Sequence, residues 1–168
     1  LGIGMAPVIT VPYFAQIVDV PPPGLNTETL VEIITTQNGP RQAANSWSYA
    51  DFVDLRAADT GIAIFGWLAK PSEVTLPGRD DITSSALFVS ADYFKLVGVA
   101  LAQGSGFTEA MHDPLYAQPA VILGYNFWQN RLGAAPDLIG KTLTVDDIPH
   151  VVVGIAPEWF GSHGFEGR

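Results

Sequence analysis

Three histidines and seventeen carboxylates are the side chains in this 168-residue sequence best suited to hold a metal, because it contains no cysteine. The densest cluster is Glu109-Ala110-Met111-His112-Asp113, where Glu109, His112 and Asp113 offer an imidazole and two carboxylates of the kind that bind a divalent metal or run acid-base hydrolysis. The three lie in a turn-rich stretch from Gly104 to Pro119 and lack the helix-borne H-E-x-x-H spacing, so a solvated loop is the plainer expectation. His163 and Glu166 lie among Gly161, Gly164 and Gly167, a backbone too pliant to preorganise a ligand set. His150 opens a β-branched run, where an edge or cross-strand place is the default. Ser105 stands between Gly104 and Gly106 but outside the G-x-S-x-G spacing of a nucleophile elbow, and no Gly-Lys-Thr follows to cradle phosphate. Asp146 and Asp147 are adjacent: on a strand they would point to opposite faces, and in a hairpin turn both are solvated. The expectation from these residues is therefore no catalytic, cofactor-binding or metal-binding site and no cofactor.

Composition narrows the partners. The net charge is −9 with eight basic residues scattered from Arg41 to Arg168, so no cationic stripe exists to neutralise a nucleic-acid backbone or to dock on anionic lipid. Without cysteine, thiol catalysis, disulfides and cysteine-ligated zinc are excluded, while the redox compartment stays open. Charged residues make up 15%, low against the roughly 25% of ordinary soluble domains, which suggests a chain that hides apolar surface. The aromatic set Trp47, Tyr49, Phe52, Phe65, Trp67, Tyr93, Phe94, Phe127 and Trp128 falls on expected helices and strands. Core packing explains it most simply, with a ring-lined site for glycans or hydrophobic molecules as the sharper alternative.

The elements that must position these residues follow from pattern. Leu1 to Val18 carries no charge and is apolar from its first position, as expected of a segment that continues upstream; it lacks the basic start and small-residue site of a cleaved signal. It is short for a membrane span and contains Pro7 and Pro12, so residues 1–20 are read as the remnant of a first transmembrane helix or as an apolar N-terminal arm. Residues 21–29, opening with Pro21-Pro22-Pro23-Gly24, form a stiff spacer, and residues 30–168 form the folded domain. Strands are expected at Leu30–Thr36, Ile62–Leu68, Ile82–Val89 and Ala120–Leu123, and a hairpin at Lys141–Val145 and His150–Ile155 across Asp146-Asp147-Ile148-Pro149. Pro71, Pro77 and Gly78 punctuate an expected polar loop. Helices are expected after Ser48, whose spacing to Asp51 resembles a capping box, after Ser90, and around Phe127, Trp128 and Leu132 up to Gly133. Irregular alternation with a hairpin and few helices makes the fold α+β.

Two stretches carry a resemblance. Val89 to Val99 with Gln103 to Thr108 resembles the "VSxxYFxxLGVxxxxGRxF" signature of the MacB-like periplasmic core domain of ABC-transporter permeases, Ser105-Gly106 standing where that family often has Gly-Arg. Val121 to Gly133, continuing through Ile139–Val145 to Val152–Pro157, resembles the family's "VxLSxxxWxxxFGxxxxxxGxxLxxxxxxxxVVGVxP" run. Ser48 to Arg56 is similar to the "SYPDFLDLR" helix of the FtsX-like, acidobacterial-type orphan-permease branch, and Leu1-Gly2-Ile3-Gly4 to the close of the cytoplasmic half of that branch's first membrane helix. The resemblance implies a porter-like subdomain plus a second mixed α/β subdomain with a C-terminal β-hairpin. It further implies a non-catalytic domain on the periplasmic side of a bacterial inner membrane, which docks a partner or substrate and couples motion to a separate cytoplasmic ABC ATPase. The partners so implied are that ATPase through the full-length permease, the membrane through flanking helices, a periplasmic adaptor or substrate protein, and a second copy as a homodimer. Family members usually continue beyond the position of Arg168, so truncation there is expected. Asp146-Asp147 stands where Asn-Gly is common, which leaves the turn type open. The competing readings are a secreted hydrolase using Glu109, His112 and Asp113, and the aromatic-lined binding module.

Overall fold

The computed structural model of the chain describes residues 8–10, 32–36, 43–44, 48–58, 60–78, 80–108, 111 and 119–160. The chain divides into two compact units, Leu1–Ile64 and Phe65–Arg168.

In the first unit, strands β1 (Val8–Thr10), β2 (Glu32–Thr36) and β3 (Ala43–Ala44) form an antiparallel sheet in chain order, Ile9 opposite Ile33 and Thr35 opposite Ala44. Helix α1 (Tyr49–Ala57) starts where Ser48 and Asp51 predict. The Ser48 hydroxyl accepts the Asp51 N–H at 3.1 Å and the Asp51 carboxylate accepts the Ser48 N–H at 3.2 Å, so two otherwise unpaired donors of the first turn are satisfied reciprocally. At the other end Arg56 lies 5.6 Å from the Phe52 ring centroid, a cation in the last turn where the helix dipole favours one. The helix stops at Ala58, whose backbone is extended, ahead of Gly61.

The second unit is built on one sheet. Strands β4 (Trp67–Thr75), β5 (Ile82–Val89), β6 (Gln103–Gly104), β8 (Thr142–Val145) and β9 (Ile148–Ile155) lie in the order β5-β4-β8-β9-β6, and β7 (Ala120–Leu123) runs parallel to β9. Short helices α2 (Tyr93–Leu96) and α3 (Tyr125–Leu132) complete it. This mixed sheet with short helices is the expected α+β class. β5 matches its expected bounds, and α3 ends at Gly133 in the left-handed region, φ 67, as the sequence predicts.

Three local expectations are corrected. The strand expected over Ile62–Leu68 begins instead at Trp67 and runs through Pro71 to Thr75. Glu73 turns its backbone toward Asp146 at the β8 end, so Pro71, two residues earlier, faces the same way, beyond Val74 and Thr75 where β8 stops; its missing N–H costs no ladder bond there. Ser90 does not cap a helix from Ala91: its hydroxyl accepts the Gly66 N–H at 3.2 Å and donates to Asp92 at 2.7 Å, and α2 starts only at Tyr93. The β8–β9 turn is two residues long, Asp146-Asp147, with Ile148 and Pro149 already in β9.

Packing divides between two clusters. Val74, Leu76, Leu123, Leu132, Leu143, Val145 and Val152 form one, with Phe127 and Trp128 of α3 against it. The other centres on Tyr93 and Val97, both fully buried, with Phe65, Phe94 and Phe160 edge-on to the Tyr93 ring and Phe94 tilted against Phe160. Strand β9 is the hub, pairing with β8 over Ile148–Val151, with β6 at Gly154 and Ile155, and with β7 across a bulge at Val153. Among the described residues no helix is long and apolar enough to cross a membrane.

Candidate functional site

Residues directly opposite in an antiparallel pair share a face, so Val74–Ile82, Ser72–Ser84, Lys70–Ala86 and Leu68–Phe88 line one face of the β4–β5 hairpin. At the Val74 end this face is core. At the other end it emerges into water as a large apolar pair, Leu68 60% exposed and Phe88 38% exposed. Lys70 serves both neighbours: its ammonium lies 5.0 Å from the Phe88 ring centroid and 2.8 Å from the Asp146 carboxylate.

Asp146 closes this arrangement from the hairpin turn. Asp146 and Asp147 have φ of 46 and 65, both positive as a type I′ two-residue loop requires. The sequence expectation that both are simply solvated is corrected for Asp146, whose carboxylate accepts the Glu73 N–H at 2.9 Å while its own N–H donates to the Glu73 carbonyl. Lys70 first, then the Glu73 N–H, holds the Asp146 carboxyl at about 2, below its ordinary 3.8. Asp146 therefore contributes stability that is present above about pH 4 and lost as pH falls toward 2. The expected result is that Asp146→Asn lowers Tm by a few degrees at pH 6 and that the difference from the parent vanishes near pH 2, read by thermal melts across that range. Asp147→Gly, which relieves the second positive φ, is expected to stabilise by about 0.5–1 kcal/mol in urea unfolding.

Tyr93 is the largest fully buried side chain among the described residues, and burial pushes its hydroxyl up to about 12 from 10.0. A folded-state value above the unfolded one means stability is intact below pH 10 and lost as pH rises toward 12. The parent is expected to lose about 2–3 kcal/mol over that window and Tyr93→Phe to show a flatter profile, measured by urea unfolding at stepped alkaline pH. An open apolar cleft of about 530 Å³ lies between Leu76-Pro77, Leu132 and Leu143, with the Asp137–Lys141 ion pair at its rim holding the Asp137 carboxyl below its ordinary value.

The sequence-nominated histidine and serine that the structure describes sit in separate segments. His150 pairs across to Leu143 with its Nδ1 2.7 Å from the Ile148 carbonyl, and Ser105 is exposed beside Gly104 and Gly106, both at positive φ. Glu109, His112, Asp113, His163, Glu166 and Trp47 lie outside the described residues. Among the described residues no group of three His, Asp or Glu side chains could hold a metal ion. Trp128 packs on the core with its indole N–H on the Ala135 carbonyl at 2.9 Å, and Trp67 is half-buried, so these rings pack rather than line an open platform. Sequence reasoning missed the Leu68–Lys70–Phe88 patch and the Asp146 contacts; the signal was the apolar cross-strand pairing at the open end of two strands, legible only once register is known.

A family model for the MacB-like periplasmic core domain matches residues 2–167. The chain belongs to this family. Among curated MacB-like relatives, the macrolide export ATP-binding/permease protein MacB 1 of Yersinia pestis bv. Antiqua is 32% identical over 89 residues, 51% of this chain and 13% of that protein. MacB of Shigella dysenteriae serotype 1 is 28% identical over 78 residues, 46% of this chain and 12% of that protein. The chain thus spans about an eighth of the length of these relatives. The fold is similar to that of the periplasmic region of MacB from Actinobacillus actinomycetemcomitans, with TM-score 0.53 and 20% identity over 65% of this chain and 50% of that one. The extracellular domain of the noncanonic ABC-type transporter YknZ from Gram-positive bacteria is similar too, at TM-score 0.54 and 18% identity over 67% of this chain and 58% of that one.

Proposed function

We propose that this chain is a non-catalytic extracytoplasmic module of an ABC-transporter permease, which docks a partner or substrate and transmits motion between it and a separate cytoplasmic ATPase subunit. The match of the MacB-like periplasmic core domain over residues 2–167 carries this reading. The physical requirement is a stiff body, and a sheet knitted at β9 by three partner strands supplies it. Residues 1–20 would tether the module toward the membrane, 21–29 would space it, and 30–168 would form the core; pairing of Val8–Thr10 with β2 favours an arm over a helix remnant for that part of the tether. In this reading the module lies on the periplasmic side of a bacterial inner membrane, in a homodimeric transporter that meets an adaptor or substrate protein. The test is the full-length protein purified from membranes: it should carry membrane helices and copurify with a Walker-type ATPase subunit. A full-length chain lacking further membrane segments overturns the proposal. In that full-length protein Leu68→Glu with Phe88→Glu is expected to cut transport at least about tenfold while basal ATP hydrolysis persists, as for loss of central apolar anchors at an interface.

A further inference from the structure

Sheet edges are ordinarily blunted by charge, proline, bulges or shortness. The far side of β4 carries such devices, Lys70 and Pro71, but β5 carries none of them. Ile82–Val89 reads ITSSALFV, without charge or proline, and pairs with β4 through eight consecutive positions from Trp67–Val89 to Val74–Ile82 with no break in register. The Ser90 N–H bonds the Gly66 carbonyl, so the even-numbered residues of β5 face β4. Thr83, Ser85, Leu87 and Val89 therefore turn their N–H and C=O groups outward, and among the described residues no strand pairs with that side. Thr83 and Ser85 are exposed. The two ends of the edge differ in chemistry. Asp80 and Asp81 are exposed at its start, Asp81 pinned by the Thr75 hydroxyl at 2.6 Å, and Leu87, Phe88 and Val89 make its end apolar.

We propose that the outer edge of β5 is a strand-addition site for an extended peptide segment of a partner protein, basic where it meets Asp80–Asp81 and apolar where it meets Leu87–Val89. Backbone hydrogen bonds would supply affinity, and the acidic and apolar ends would set direction. An antiparallel guest, which extends the pattern of the β4–β5 pair, would carry its basic residues at its C-terminal end. The net charge of −9 opposes a second copy of this chain as the guest. This inference names how the docking module engages its partner and rests on that reading for its biological use; edge binding is measured on this chain and transport on the full-length protein, so their failures are distinguishable.

The probe is a synthetic, acetylated and amidated peptide of alternating threonine and valine ending in two lysines, added at millimolar concentration to the chain while amide exchange is followed residue by residue. Exchange at Thr83, Ser85, Leu87 and Val89 is expected to slow about tenfold or more, with an alternately N-methylated peptide giving no slowing and a peptide ending in two glutamates binding about tenfold more weakly. Ser85→Pro removes one outward donor at an edge position that tolerates proline, and is expected to abolish the slowing at Thr83 and Leu87. The N-methylated control needs no variant, so the result stands even if Ser85→Pro fails to fold. Equal slowing by the N-methylated peptide, slowing confined to other residues, no slowing at all, or concentration-dependent slowing without peptide that marks a second copy at the edge would each overturn the proposal.

Discussion

Gly104→Ala is expected to lower the unfolding free energy by about 3 kcal/mol or more, through forced left-handed backbone and a clash with no soft partner. At φ 89 the position disfavours any side chain, and a Cβ there would lie 2.3 Å from the Val153 carbonyl oxygen and 2.6 Å from the Gly154 Cα. Both are backbone atoms of the central strand β9, so nothing can rotate aside; β6 and β9 would have to part where Gly104 faces Gly154. Gly133 makes the control. It too has positive φ, 67, but a Cβ there meets nothing within 4 Å, so Gly133→Ala should cost only the conformational part, about 1 kcal/mol. Urea unfolding of the two variants decides the matter: equal losses would show that the close approach of β6 to β9 carries no weight.

Tyr93→Ala is expected to cost about 3–5 kcal/mol, the range for deleting a large buried ring whose surroundings cannot fully collapse. Tyr93 is 1% exposed and its ring meets Phe65 at 5.1 Å and Phe94 at 5.4 Å, both nearly perpendicular, so the loss includes edge-to-face contacts as well as buried area. Its neighbours come from the segment before β4, from α2 and from the turn after β9, so truncation loosens three separate stretches at once. Tyr93→Phe keeps the ring and should change stability at neutral pH by less than about 1.5 kcal/mol. A Tyr93→Ala loss no greater than that of Tyr93→Phe, by the same urea titration, would mean that Phe160 and Phe65 close over the gap.

What was readable in the sequence was local. The capping box at Ser48 and Asp51, the bounds of β5, the strand-helix unit ending at Gly133 and the β8–β9 hairpin depend on neighbours a few residues away, which pattern reports directly. What escaped depends on distant partners. Pro71 argues against a strand until the short reach of β8 shows that its nitrogen faces an open side, and Ser90 looks like a cap until Gly66 supplies a different donor. Gly104 reads as one turn glycine among several, because its constraint comes from β9. At the candidate site Leu68 and Phe88 read as ordinary strand residues; that they meet across the ladder and stand in water is a property of register and of where the core ends.

Lys70 touches the Phe88 ring and the Asp146 carboxylate with one ammonium, so the apolar patch and the hairpin turn share a single cation. Water now screens that ion pair, with Lys70 and Asp146 side chains 47% and 33% exposed. Anything that settles over Leu68 and Phe88 also strips solvent from Lys70, and at an effective dielectric nearer 20 than 80 the attraction between the same two charges grows about fourfold. Covering the patch would therefore change the pull on the turn joining β8 to β9, the strand at the hub of the sheet, by the balance of that stronger attraction against the cost of desolvating both charges. One cation thus ties an exposed apolar face to the turn that opens the central strand of the sheet.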